Sequence, residues 1–141
     1  MLTGPTYSTG EPILVGDWVR VFVPLLMVWH HGIVRRISWI GNGFGVELAN
    51  NTKSGGTTIS DWYDFANGQT VILHRRASSP AHVQQIAARV DSKIGRPYHL
   101  LADNCEHFAS YAHSGEAKSG SVQTLGVIAM GLVAMKLLAS E

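Results

Sequence analysis

The sequence predicts an α+β fold in which an antiparallel sheet is built first and the helices follow. Three observations carry that reading. β-type segments fill the first 75 residues and are separated by proline, glycine and asparagine turns. Helical spacing of apolar residues sets in only after Ser79-Pro80. A second capped helix follows Asp103-Asn104. Strands segregated from helices in this way make an α+β arrangement rather than alternating βαβ units.

Residues 1–12, rich in glycine, proline and hydroxyl side chains, read as a loose arm. Val15 to Val23 alternates well enough for a strand, ended by Pro24. His30 to Ile40 is a second strand. Gly41-Asn42-Gly43 supplies the turn to a third, Phe44 to Ala49. Asn50 to Thr57 reads as a polar loop. Ser60 can cap a short helical turn that runs through Phe65 and stops at Asn67-Gly68. Thr70 to Arg75 is a further strand. Ser79 caps a helix with proline at its first position. Val83, Ala87, Val90 and Ile94 recur at helical spacing along it, and Gly95 ends it. After Arg96-Pro97-Tyr98 the chain enters the helix Cys105-Glu-His-Phe-Ala-Ser-Tyr-Ala-His, closed by Gly115.

Composition narrows the function. The chain has 141 residues and a formal net charge of +1. That length suits one domain with a real core. Its basic residues form only short pairs, Arg35-Arg36 and Arg75-Arg76, so nucleic acid is not an expected partner. The N-terminus has neither a basic start nor an apolar stretch, so no secretory signal is read there. A single cysteine, Cys105, excludes an intrachain disulfide and a structural zinc held by thiols, and a reducing, cytoplasmic compartment is the expectation.

A lone thiol is either a buried apolar group or a nucleophile. The hexamer Asp103-Asn104-Cys105-Glu106-His107-Phe108 favours the nucleophile, because it puts the sulfur in the first turn of a capped helix. There the helix dipole and free N–H groups are expected to favour thiolate. Such a nucleophile needs a base. Of seven histidines, His107 points about 200° around the helix from the sulfur, and His113 lies further along the same helix. His30 and His31 are the better candidates. They lie in a β-type segment and so face opposite sides of a sheet, which allows at most one of them to meet the helix. His74, His82 and His99 show no ligand spacing with acidic residues.

Four segments in this order, Gly16-Asp17-Trp18-Val19-Arg20-Val21, His30-His31-Gly32-Ile33-Val34, Gly43-Phe44-Gly45-Val46-Glu47-Leu48 and Asn104-Cys105-Glu106-His107-Phe108, resemble the lecithin:retinol acyltransferase (LRAT)-like family, which includes the small phospholipase/acyltransferases once called H-Ras-like suppressors. The resemblance covers roughly residues 13–121 and implies a circularly permuted papain-like fold, in which the histidine precedes the cysteine. It implies Cys105 as nucleophile and His30 as general base. The family usually carries a second histidine on the next strand. Here that position is Glu47, whose carboxylate could accept the far N–H of His30, orient the ring and raise its pKa. A second departure is Val34-Arg35-Arg36 where the family often has a tyrosine and a glycine.

The activity so implied is a thiol-dependent lipid acyl hydrolase or acyltransferase of phospholipase A type, working through a cysteine thioester on a phospholipid without cofactor or metal. A cysteine peptidase, amidase or isopeptidase of the same fold is the alternative. A non-enzymatic membrane-interaction protein is the other. The last segment bears on the choice. Ser119 to Met135 is an uncharged run of 17 residues, at the short limit of what spans a bilayer, and Lys136 follows it. Residues 122–141 are therefore expected to form a hydrophobic C-terminal helix that touches a membrane through 122–139. Packing of this helix on its own domain or on a second copy is the competing expectation.

Overall fold

The computed structural model describes residues 4–97 and 104–116. It contains a five-stranded antiparallel sheet and three helices. The strands are β1 (Trp18–Val23), β2 (Val28–Trp39), β3 (Phe44–Thr52), β4 (Gly56–Asp61) and β5 (Ile72–Arg75), in the spatial order β4-β3-β2-β1-β5. The helices are α1 (Trp62–Ala66), α2 (Pro80–Lys93) and α3 (Cys105–Ser114). The expected α+β class is therefore observed.

The two faces of the sheet carry two separate cores, as a period of two along each strand requires. Val19, Val21, Val34, Val46 and Leu48 project to one face, where they meet Phe65 and Ala66 of α1, Val71, Tyr7 and Ile13. Trp18, Ile33 and Ala49 project to the other, where Ile86 and Val90 of α2 and Phe108, Ala109 and Ala112 of α3 cover them. On α2 the buried stripe runs through Ile86 and Val90, while Ala87, expected on that stripe, is exposed.

The caps of α2 and α3 follow the sequence, whereas α1 is capped not by Ser60, which is taken up in β4, but by Asp61, whose side chain accepts from the Asp64 N–H at 2.7 Å. Ser79 accepts from the His82 N–H and Asn104 from the His107 N–H. Asn67 and Gly115 close α1 and α3 in the left-handed conformation. Two further expectations differ from the structure. The polar stretch expected as a loop instead extends β3 to Thr52 and supplies the start of β4. Residues 4–12, expected as a loose arm, are pinned: the buried Tyr7 donates its hydroxyl to Asp17 at 2.6 Å, and Thr6 bridges Pro12. Asp17 also accepts from Arg76 and from the Leu14 N–H, so this buried carboxylate is fully partnered.

Among the described residues no helix is long and apolar enough to cross a membrane. The expected C-terminal helix over 122–141, together with Asp103 and His99, lies outside the described residues.

Candidate active site

The site forms where β3 leaves β2. The β2–β3 ladder ends at Gly32 opposite Asn50, while β3 continues along β4 to Thr52. Val34 turns both its N–H and its C=O toward residues 16 and 17 on the β1 side. By the two-residue period, Trp29 and His31 turn theirs the opposite way, toward the side β3 has left. Cys105 fills that place. Its Sγ lies 3.9 Å from the Trp29 carbonyl oxygen, to which the thiol donates, and the His31 backbone N–H is directed at the sulfur. The nucleophile candidate thus sits against the two peptide groups that flank His30.

Burial pushes the Cys105 thiol up from its ordinary value, and the Glu106 carboxylate adds to the rise. The backbone N–H groups of His31, Glu106 and Cys105 work against it. The expected thiolate is therefore corrected: desolvation outweighs the helix start, and the resting group is a thiol. Burial likewise lowers the His30 pKa, with the Asn50 hydrogen bond opposing it. Both shifts favour a neutral thiol and a neutral imidazole over an ion pair.

The two adjacent histidines go to opposite faces. His31 points to the α3 face. Trp18 donates its indole N–H to His31 Nδ1 at 2.9 Å, so the proton of this imidazole sits on Nε2, which lies 3.8 Å from Glu106. Burial lowers its pKa to about 4.

His30 points to the α1 face. Its ring lies 5.1 Å from that of Phe65, and its Nε2 is 2.9 Å from Asn50 Oδ1. Gly32 makes this possible. A Cβ on Gly32 would fall 2.6 Å from a Phe65 ring carbon, so any side chain there would displace the ring that lies beside His30. The Asn50 amide is itself fixed, since its Nδ2 donates to Ser60 Oγ at 2.9 Å and faces the Thr58 carbonyl at 3.5 Å. The Thr58 carbonyl can only accept, which assigns the Asn50 oxygen to the ring side; His30 is then assigned as donor from Nε2, with the lone pair on Nδ1.

A groove of about 280 Å³ opens beside this ring, lined by Val21, Phe22, Val23, Pro24, Phe65 and His30 among others. Among the described residues no group of His, Cys, Asp and Glu is arranged to hold a metal ion.

The model of the family described as lecithin retinol acyltransferase (LRAT) matches residues 12–118. The chain belongs to the LRAT family. No individual curated protein matches it. Membership in the LRAT family points in general to an enzyme of acyltransferase or phospholipase type.

Against that family pattern, Glu47 stands elsewhere than expected. Val46 and Leu48 face the α1 side with His30, so Glu47 projects to the opposite face of β3. There its carboxylate meets Arg35 at 3.6 Å and Arg36 at 3.9 Å. The structure gives the far N–H of His30 to Asn50, three residues along the same strand. Parity along β3 could have narrowed it: only even-numbered positions share the face of Leu48, and of the two hydrogen-bonding side chains among them, Asn50 and Thr52, it is Asn50 that lies opposite Gly32, two residues from His30. His107 and His113 are both buried on α3, and His113 reaches the Gly16 carbonyl at 2.8 Å.

Proposed function

We propose that this LRAT-family protein is a thiol-dependent phospholipid acyl hydrolase or acyltransferase, with Cys105 as nucleophile, His30 as general base and Asn50 as the residue that positions the base. One observation supports this most directly. The Asn50 amide, oriented by the Thr58 carbonyl, pairs its oxygen with His30 Nε2 and so favours the tautomer with its lone pair on Nδ1. Nδ1 is the ring nitrogen nearest its own backbone, and the sulfur lies against the peptide groups on either side of that backbone. The base precedes the nucleophile in sequence, as a permuted papain-like order requires.

The chemistry runs as follows in this reading. His30 Nδ1 takes the thiol proton as Sγ attacks the ester carbonyl carbon of the lipid. A C–S bond forms, and the carbonyl oxygen takes the negative charge. N–H groups at the start of α3 are the available oxyanion donors. The tetrahedral centre collapses with cleavage of the C–O bond, and the imidazolium returns its proton to the departing alkoxide. Water, an alcohol or an amine then attacks the thioester carbonyl, giving its proton to His30; the C–S bond breaks, the acyl group leaves on the acceptor, and the imidazolium returns the proton to the Cys105 sulfur. A resting neutral pair means that the proton moves within the reaction rather than before it.

Incubation of the protein with phospholipid vesicles, followed by intact-protein mass spectrometry, tests this. A fatty-acyl mass increment is expected in the native chain and none in Cys105→Ala. Turnover of lipid with the increment absent, or retained in Cys105→Ala, would remove the thioester from the scheme.

A further inference from the structure

The β1–β2 hairpin has an unusual tip. Its turn, Pro24-Leu25-Leu26-Met27, carries no polar side chain, and no Lys, Arg, Asp or Glu occurs between Arg20 and Arg35. Leu25 is 96% exposed, Met27 75% and Leu26 59%. Exposed turn positions with positive φ normally take Gly, Asn or Asp. Met27 sits at φ 54. The turn is nonetheless well formed, with Leu26 N–H to Val23 O and Met27 N–H to Pro24 O both at 3.2 Å. Three large apolar side chains are thus held out on a tight, ordered turn at a backbone cost.

Behind the tip the residue types change in layers. Phe22 and Trp29 face each other across the two strands with ring centres 5.3 Å apart. The Arg20 guanidinium lies 4.3 Å from the Trp29 ring centre. Apolar tip, aromatic pair, then a cation is the order in which a bilayer presents acyl chains, interface and phosphates. The groove beside His30 starts at Pro24 and Val23 of this same hairpin.

We propose that Leu25, Leu26 and Met27 insert into the surface of a phospholipid bilayer and deliver a lipid from it, through the groove, to His30. The delivery half rests on the reading given under Proposed function; the insertion half does not. His30 lies two residues into β2 and Leu26 two residues before it in the turn, so they are at most about 13 Å apart at ~3.3 Å per residue. Interfacial elements sink roughly 5–10 Å below the headgroup boundary. His30 then stands a few ångströms above that boundary, where a lipid drawn slightly outward would present its ester. The convex shape of the tip, its freedom from charge and the cation behind it fit a lipid surface better than the concave partner site that a protein would have to offer.

The decisive measurement places a fluorophore on the tip of the otherwise complete chain. Leu25→Cys in a Cys105→Ala background, labelled with an environment-sensitive dye, is mixed with vesicles of phosphatidylcholine and phosphatidylglycerol. Insertion predicts a blue-shifted emission and quenching by brominated acyl chains, whether or not the enzyme reading is correct. Solvent-like emission from protein that sediments with the vesicles would overturn the proposal and assign membrane contact to another segment. Solvent-like emission without sedimentation would overturn it as well, and so would a dye buried in a dimer detected by light scattering. A paired test uses Leu25→Glu/Leu26→Glu, checked for native circular dichroism. Its turnover of vesicle lipid should fall at least tenfold, while its turnover of a water-soluble short-chain ester stays within about twofold of the native chain. Equal loss on both substrates, or on neither, would count against delivery by the hairpin.

Discussion

His30 and His31 share a peptide bond, a strand and a tautomer, yet their surroundings give them different chemistry. Both carry the proton on Nε2. On His31 the remaining lone pair is spent on the Trp18 indole, and the ring is packed under α3. On His30 the protonated nitrogen is tied to Asn50, and the lone pair is left beside the groove. The difference teaches that a base is defined by which nitrogen its neighbours occupy, since burial lowers the pKa of both rings.

The largest expected effects test that contrast directly. Cys105→Ala should abolish acyl-adduct formation. His30→Gln should lower turnover by roughly 10²–10⁴-fold, the usual worth of a general base, with little loss of stability. His31→Gln should do the reverse. Turnover should stay within about threefold, while urea unfolding should show a loss on the order of 1–2 kcal/mol from the broken Trp18 bond. If His31→Gln were the inactive protein and His30→Gln the active one, the assignment of the base would be exchanged.

Next in size is Asn50→Ala, which frees the ring without removing the base. Misplacing a catalytic group by about 1 Å can cost up to about 100-fold, so a fall of roughly 10- to 100-fold in kcat is expected. A pH profile separates positioning from damage. The Asn50 bond raises the His30 pKa against burial, so its loss should move the acid limb of activity to lower pH. Asn50→Asp should move the limb the other way, because a carboxylate favours imidazolium. An unmoved limb in both would leave Asn50 with a merely structural part.

Much of this was legible in the sequence, and the exceptions have physical causes. The α+β class, the Ser79 and Asn104 caps and the position of Cys105 follow from residue type and spacing. β4 was not legible. Gly56-Thr57-Thr58-Ile59-Ser60-Asp61 shows little apolar alternation because it is an edge strand formed by pairing with β3, and its buried positions are Gly56 and Thr57 rather than large apolar residues. Its start is fixed from far away, since the Thr57 N–H and C=O bond Arg96 and Gly95 at the end of α2. A Cβ on Gly56 would fall 2.0 Å from the Arg96 carbonyl oxygen. The docking of Tyr7 was hidden for the same reason: its partner Asp17 is ten residues away and looks in sequence like a turn residue. The direction of the Cys105 shift was hidden because a helix start is a local signal, whereas desolvation depends on what the fold lays over it.

A stability effect of moderate size should accompany acidification. His31 and His113 are buried with pKa values lowered to about 4, chiefly by burial. A lowered imidazole pKa means that the unfolded chain binds protons first. The native state therefore keeps its full stability above the unfolded value near 6.5 and loses it as pH falls from there toward 4. For His31 alone the loss between pH 7 and pH 5 is on the order of 2 kcal/mol. Urea midpoints should fall across that window, and less steeply in His31→Gln. A midpoint that held constant from pH 7 to pH 5 would mean that these rings are charged in the native protein.

The smallest expected effect is the one that most sharpens the two-face picture. Glu47→Gln removes the carboxylate that would orient the base if parity along β3 were ignored. The side chain is on the far face, partly exposed, and holds Arg35 and Arg36 in ion pairs whose loss is worth about 0–1 kcal/mol in such surroundings. Turnover should change by less than twofold, and the acid limb should not move, since no charge near His30 has been altered. Glu47→Gln and Asn50→Asp are thus a matched pair, one removing a negative charge from the family's position on β3 and the other adding one three residues on. A rate loss and shifted limb in Glu47→Gln, with neither in Asn50→Asp, would require β3 to present its other face to the base. In that case the odd-numbered residues of this strand, and not Asn50, would hold the ring.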